Sequence, residues 1–192
     1  MPKTKIDKSL VIERAIHMIN ITGIENLSLK TLAEDLGVKP PSLYNHVSGI
    51  DDLKEQIMLH GWKELDDRMV EAVIGLTGYD AVRAMCRAFH EYAAENQGVF
   101  SAMLWYNQFK DAQNMEATSK MFSVFFKITE SVNISRENCF HLVRMFRSFL
   151  EGFSLLENNH AFGNDLSVDD SFELALDVLL EGMKRLGSVK RK

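Results

Sequence analysis

Apolar positions recur three or four residues apart along most of the chain, which is the period of amphipathic helices. No stretch alternates apolar and polar residues with period two, and no Asn-Gly or Asp-Gly pair joins two apolar runs. All three prolines lie before residue 42, so none interrupts the later apolar stripes. The pattern therefore predicts an all-α protein of about nine helices.

Glycines, serines and breaks in the apolar pattern predict where these helices begin and end. Ser28 is placed to cap the second helix and Ser135 the eighth. Ser48 and Asp51 have the spacing of a capping box, which predicts the start of the fourth helix. The predicted helices cover residues 8–20, 28–36, 40–47, 51–73, 79–95, 98–108, 113–132, 136–160 and 168–186.

A tight turn at Gly37 and Val38 joins the second and third of these helices. Two short helices in this arrangement, braced by a third, match a helix-turn-helix unit whose second helix can enter the major groove of DNA. Alternatively, the polar face of the third helix is an ordinary solvated surface. Glycine turns between two short helices are also common in other α-proteins. The side chains predicted for the inner core of the unit are Leu32, Ala33, Val38, Leu43 and Val47.

The order of residues around this turn favours the DNA-binding interpretation. The informative segments are Gly23-Ile24-Glu25-Asn26-Leu27-Ser28, Leu32-Ala33, Leu36-Gly37-Val38 and Ser42-Leu43-Tyr44-Asn45-His46-Val47. With them, about residues 6–55 resemble the N-terminal DNA-binding domain of TetR-family transcriptional regulators. The resemblance implies a DNA-binding domain over residues 1–52 and a helical effector-binding and dimerisation domain over residues 53–192. It also implies a homodimer that represses transcription from a palindromic operator and is released by a small molecule.

Matching positions imply which side chains face DNA. They are Lys30, Lys39, Pro41, Ser42, Tyr44, Asn45 and His46. The sequence departs from the family where many members carry a phosphate-contacting lysine at the start of helix four, because Ile50 stands there. Lys54, one turn later, is the candidate replacement, and we expect operator binding to depend only shallowly on salt. Lys3, Lys5 and Lys8 either compensate as a flexible arm or form a solvated tail.

Charge and composition bear on the expected cellular location of the protein. The chain has 22 Lys and Arg against 27 Asp and Glu, and of the three segments 1–48, 49–147 and 148–192 only the first has more basic than acidic residues. No apolar run reaches the roughly 18 residues needed to cross a bilayer, and the N-terminus lacks the apolar core of a signal peptide. We therefore expect a cytoplasmic protein that has no membrane partner. Cys86 and Cys139 are predicted to be buried thiols.

The region after residue 56 is rich in methionine and aromatic side chains. Each of them is individually expected in the core, but together they can line an adaptable apolar cavity. The resemblance adds that a ligand pocket lies between helices of this region. We expect an apolar or aromatic effector, whose identity the sequence does not give. The candidate lining residues are Trp62, Phe89, Met103, Phe122 and Phe125.

The last two predicted helices, 136–160 and 168–186, are apolar on more than one face. Such helices must be buried on more than one side, and pairing with their copies in a second subunit would form a four-helix bundle. Gly152 and Gly182 would allow close approach of the backbones. This block also looks like the C-terminal domain of a TetR subgroup marked by a Trp-His-Gly motif, with Glu151 where the subgroup has histidine.

The remaining motifs do not favour an enzyme. His90-Glu91 begins like the zinc-protease pattern HExxH, but Ala94 stands where the second histidine is required. The sequence contains no P-loop, GxGxxG or GxSxG motif. We predict a regulator without catalytic activity, metal or cofactor. The alternatives are a DNA-binding regulator that needs no effector and a helical interaction protein that never meets DNA.

Overall fold

The computed structural model of the chain describes residues 6–104 and 116–188. Within these ranges the regular elements are all helical and no strand is present, so the predicted all-α class is confirmed. Two 3₁₀ helices, Ile24–Asn26 and Pro40–Asn45, lie between α-helices. The α-helices are α1 (Lys8–Thr22), α2 (Leu29–Asp35), α3 (Ile50–Ala72), α4 (Gly78–Glu95), α5 (Gln97–Met103), α6 (Ser119–Ser131), α7 (Arg136–Asn158) and α8 (Val168–Ser188).

The predicted helices correspond to α1–α8 and to the Pro40–Asn45 helix. The third predicted helix, 40–47, differs from the prediction because it is a short 3₁₀ helix and not an α-helix. The N–H groups of Ser42 and His46 donate to the carbonyl oxygens of Lys39 and Leu43, three residues earlier, which is the bonding pattern of a short 3₁₀ helix. The parts of two predicted helices that fall within 105–115 lie outside the described residues.

Side chains cap several helices at the predicted positions. Ser28 and Thr31 form a capping box at the start of α2, and the hydroxyl of Ser135 accepts the Asn138 N–H at the start of α7. At the start of α3, the predicted pairing of Ser48 with Asp51 was wrong. The backbone N–H and hydroxyl of Ser48 both donate to Asp52, at 2.6 and 3.1 Å, and not to Asp51.

The described residues form two compact units. The first contains the residues up to Lys63 together with those between Asn96 and Ala117. In this unit α5 packs on α1, although it follows α4 in the chain. The buried side chains of the first unit include Val11, Ala15, Ile19, Leu32, Leu43, Leu53, Ile57, Val99, Phe100 and Met103.

The second unit contains Glu64–Glu95 and the described residues from Thr118 onwards. Helix α4 is its centre and packs against α6, α7 and α8. Among the described helices, none is both long and apolar enough to cross a membrane. The buried side chains of the second unit include Leu65, Val82, Met85, Phe89, Tyr92, Phe125, Leu142, Phe146, Leu150, Phe172, Leu176 and Leu180.

Candidate nucleic-acid interface and ligand-binding unit

The Pro40–Asn45 helix is anchored by the apolar side chains on its inner face. Leu43 and Val47 are buried, as are Leu32 and Ala33 on α2. Val38, the fifth predicted core residue, is half-buried. Gly37 has φ 67° in the turn between the two helices, a conformation that favours glycine. The turn and the buried anchors together fix which side of this short helix faces outward.

The side chains predicted to face DNA lie on that outer side. Tyr44 is 60% exposed, Lys39, Pro41 and Asn45 are also exposed, and Ser42 and His46 are half-buried. The structure thus brings six of the predicted residues together within eight consecutive positions. The seventh, Lys30, is exposed in the first turn of α2.

The start of α3, directly after this helix, carries acidic rather than basic side chains. Ile50 is its first residue, and Asp51 and Asp52 follow in the first turn. The N–H of Ser48 holds the pKa of Asp52 below its usual value, so this carboxylate is committed to the helix cap. Lys54, the predicted replacement for a clamp at position 50, is half-buried one turn further on. Lys3 and Lys5 lie outside the described residues, whereas Lys8 is an exposed residue at the start of α1.

A bidentate ion pair joins α1 to α2 in this unit. Arg14 donates from Nε and Nη2 to the two carboxylate oxygens of Asp35, at 2.8 and 2.7 Å. These hydrogen bonds lower the pKa of Asp35 and raise the pKa of Arg14. Because both groups are solvent-accessible, the contact orients α2 more than it stabilises the fold.

A second contact attaches α5 to α1, and sequence reasoning missed it. The side-chain oxygen of Asn20 accepts the N–H groups of Gly98 and Val99 at 3.0 and 3.2 Å, which caps the start of α5. A Cβ at Gly98 would lie 2.2 Å from the carbonyl oxygen of Ile19, so only glycine permits this approach. The partners are 78 residues apart in sequence, and no local pattern indicates such a pairing.

The predicted effector-lining residues are distributed over both units. Trp62 and Met103 are buried in the first unit, and Phe89 and Phe125 are buried in the second. Phe122 is half-buried on α6. An open groove of about 400 Å³ runs along α4 in the second unit. Its lining, which includes Leu76, Asp80, Arg83 and Glu91, contains none of the five predicted residues.

Two titratable side chains in the interior of the second unit, His90 and Asp66, are hydrogen-bonded to other groups. His90 Nε2 lies 2.6 Å from Glu157 Oε2, and the His90 ring stacks on Phe172 with centroids 4.0 Å apart. Asp66 is buried and accepts the Met121 N–H at 2.6 Å, and its burial raises its pKa. No group of three or more metal-ligating side chains occurs in the part of the chain that the structure describes.

The two cysteines are buried, as predicted. Burial raises the pKa of Cys86 to about 12, so its thiol stays protonated and unreactive at neutral pH. Burial also raises the pKa of Cys139, whose sulfur accepts a hydrogen bond from the Thr129 hydroxyl at 3.1 Å. Neither thiol is therefore a candidate nucleophile.

The second unit identifies the family. Residues 82–179, just over half of the chain, match the family model described as "Tetracyclin repressor-like, C-terminal domain". The chain belongs to the TetR family. This TetR-family chain is 25% identical over 183 residues to the HTH-type transcriptional regulator YobS of Bacillus subtilis, covering 95% of each protein. It is 28% identical over 182 residues to the HTH-type transcriptional regulator Rv0681 of Mycobacterium tuberculosis, covering 94% of this chain and 83% of the relative.

A solved structure shows the same fold at low sequence identity. A TetR variant from Acinetobacter baumannii AYE, in complex with minocycline, superposes with a TM-score of 0.73. It is 19% identical, and the match covers 96% of this chain and 100% of that one. The family match and the two relatives make the TetR-family chain a transcriptional regulator.

Helices α7 and α8 of this TetR-family chain expose apolar side chains. Leu174 is 67% exposed and Val178 65%, and Gly182 continues their four-residue spacing along α8. Leu155 and Leu156 are exposed near the end of α7. Alanine methyl groups at Gly152 and Gly182 would meet nothing within 4 Å, so both positions are open to an approaching backbone. We call the row Leu174, Val178 and Gly182 the α8 stripe.

Proposed function

We propose that this TetR-family regulator is a cytoplasmic homodimer that represses transcription by occupying a palindromic operator. In this proposal residues 1–52 bind DNA, residues 53–192 bind effector and dimerise, and a small apolar or aromatic effector releases the operator. The observation that supports it most directly is the outer side of the Pro40–Asn45 helix. Hydrogen-bonding side chains are exposed there on a backbone held by buried Leu43 and Val47.

Each outward side chain suits a particular contact with a DNA duplex. The hydroxyls of Ser42 and Tyr44 are donors for phosphate oxygens, which position a protein on the duplex without reading its sequence. Asn45 can pair with both N6 and N7 of adenine, and Pro41 offers an apolar face to a thymine methyl group. Lys30, Lys39 and Lys54 are the proposed phosphate-neutralising cations, with His46 completing the surface.

The α8 stripe supports the proposed homodimer. Exposed apolar side chains in a row along one helix are typical of an interface and not of a solvated surface. A twofold axis places the same patch of each subunit against its copy, so a single patch is sufficient. The open positions at Gly152 and Gly182 would let the helices of the two subunits approach closely.

The apolar content of the second unit supports an apolar effector. Phe89 and Phe125 are buried there, and Phe122 is half-buried on the same helix as Phe125. We propose these three as effector contacts in the second unit. Trp62 and Met103, which the sequence also predicts, lie in the first unit. The TetR variant from Acinetobacter baumannii, which shares the fold, is in complex with minocycline, and this is consistent with a small-molecule effector here.

Footprinting on the DNA upstream of the protein's own gene tests operator binding. The wild-type protein should protect a site with two related half-sites, about one helical turn apart from centre to centre. Tyr44→Ala and His46→Ala should each abolish or strongly weaken the protection. Lys127→Ala, which changes an exposed residue on α6, is the control and should protect as wild type does. Protection by the Tyr44→Ala variant equal to wild type would reject the assigned surface.

A titration of the operator complex tests effector release. Fluorescence anisotropy of labelled operator should fall when apolar aromatic compounds are added, and Phe125→Ala should shift the concentration required. If no compound of this class releases the wild-type protein, while footprinting succeeds, the regulator without an effector becomes the better description.

A further inference from the structure

Two arginines on α4 hold two carboxylates on α8. Arg87 donates from Nε and Nη2 to the two carboxylate oxygens of Glu173, at 2.6 and 2.8 Å. Arg83 donates to Glu173 Oε2 at 3.1 Å and also to Asp177. Each pair occupies positions i and i+4 on its own helix, so the four charges match across the contact. We call these four residues the α4–α8 clasp.

The middle of α8 has no lysine or arginine of its own, and the two arginines of the clasp supply positive charge there. From Ser148 to Met183 the chain contains eight acidic residues and no lysine or arginine. Glu173 and Asp177 are like charges one turn apart, an arrangement that destabilises an isolated helix. Hydrogen bonds from Arg87 hold the pKa of Glu173 below its usual value, so the carboxylate stays charged and needs compensation.

The position of the clasp relates it to the α8 stripe. Glu173 and Asp177 each directly precede an exposed apolar residue of the stripe, Leu174 and Val178. Glu173 and Asp177 therefore border the stripe on the side that faces α4, and a second subunit that covers the stripe would remove water from them. A carboxylate that loses water without a partner costs free energy and so opposes association.

We propose that Arg83 and Arg87 are positioning residues for dimerisation: they neutralise Glu173 and Asp177 and hold α8 so that its stripe can meet a second subunit. This inference rests on the proposed homodimer. Neither arginine needs to touch the partner. The clasp therefore acts mainly on association, because partly exposed ion pairs contribute little to the folding of the subunit itself.

The test compares dimer dissociation constants by analytical ultracentrifugation. The double variant Arg83→Gln/Arg87→Gln should dissociate at a concentration roughly tenfold higher than wild type, or more. Lys63→Gln/Lys127→Gln removes the same charge from two exposed lysines on α3 and α6, and it should dimerise as wild type does. Circular dichroism melting checks that each variant is folded. Should the double variant fail to fold, the single variant Arg87→Gln takes its place, with a smaller expected shift.

Two further measurements separate neutralisation from a general loss of structure. Raising the salt concentration from about 0.1 to about 1 M shortens the Debye length from about 10 to about 3 Å and should reduce the deficit of the double variant. Adding Glu173→Gln/Asp177→Asn to the double variant should restore dimerisation, because the unpaired carboxylates are removed. A deficit that neither salt nor this addition relieves would overturn the neutralising role.

The failure of this inference and the failure of the proposed homodimer give different results. If the wild-type protein is monomeric, the proposed homodimer is wrong, and if Val178→Asp leaves the protein dimeric, the α8 stripe is not the interface. If Val178→Asp produces monomers while Arg83→Gln/Arg87→Gln dimerises as wild type does, the interface stands and the clasp has no part in it.

Discussion

At the scale of single residues, Gly98 is a position where the first unit has no room for a side chain. A methyl group there would lie 2.2 Å from the Ile19 carbonyl oxygen, in the backbone of α1, which cannot move aside as a flexible side chain can. We expect Gly98→Ala to lower the free energy of unfolding by about 2 kcal/mol, a typical cost of forced overpacking. Gln97→Ala, an exposed change next to it, should alter stability by less than about 0.5 kcal/mol. Urea unfolding of both variants measures the difference, and equal midpoints would contradict the close contact.

We expect Ile50 to weaken the dependence of operator binding on salt. The wild-type protein lacks a cation at the first residue of α3 and has Asp51 exposed beside it. We expect fewer than about ten ions to be released per dimer on operator binding. Ile50→Lys should strengthen binding and steepen the log–log salt slope by up to about 2 per dimer, because each neutralised phosphate adds about 0.9.

The control for this prediction is Ile50→Gln, which has a similar length and no charge and should leave the salt slope unchanged. Binding constants measured by anisotropy at several salt concentrations give the slopes. A wild-type slope corresponding to ten or more released ions would contradict the expected shallow salt dependence. An unchanged slope in Ile50→Lys would place position 50 away from the phosphates.

At the scale of elements, the cap of α3 makes stability depend on pH. The hydrogen bonds from Ser48 lower the pKa of Asp52, so the folded state binds this proton more weakly than the unfolded state does. The stabilisation is therefore present above the unfolded pKa, near 3.8, and is lost as pH falls through the lower folded value. Asp52→Asn should cost about 1 kcal/mol at neutral pH, the usual size of a cap, with the difference shrinking in acid.

Unfolding midpoints between neutral and acid pH measure this effect. Asp51→Asn removes a neighbouring carboxylate that does not bond Ser48 and is the matched control. The prediction is contradicted if the deficit of Asp52→Asn persists unchanged below the folded pKa, or if the control shows the same loss at neutral pH.

The helices themselves could be predicted because their signals are local. The apolar period extends over each helix, and Ser28 and Ser135 cap the predicted starts with their own neighbours. The partner of Ser48 was misassigned because Asp51 and Asp52 differ by one position, and only the helix geometry selects between them. The Pro40–Asn45 helix was placed correctly but given the wrong helix type, because six residues are too few for the apolar period to distinguish a 3₁₀ helix from an α-helix.

At the scale of the whole molecule, the assignment of α5 to the first unit could not be read from the sequence. It depends on Asn20 and Gly98, which are far apart in the chain and belong to no motif. The clasp between α4 and α8 was missed for the same reason, although the absence of cations from residue 148 to 183 was visible. Long-range pairs of this kind are set by packing, whereas the outward Lys39–His46 segment was predictable because its anchors and its polar residues are adjacent.

The homodimer is the prediction that belongs to the whole molecule. Val178→Asp places a charge in the α8 stripe, where the proposed interface excludes water, so the protein should become monomeric with little change in its own helicity. Ile74→Asp makes a comparable change at a residue that is 76% exposed in the loop between α3 and α4, off the stripe, and it should leave the dimer intact. The molar mass of each variant, measured by light scattering, shows whether it is a monomer or a dimer. Two subunits bind a palindromic operator together, so Val178→Asp should also lose operator protection while Ile74→Asp keeps it. Operator binding by a monomeric variant at wild-type affinity would contradict binding by two subunits.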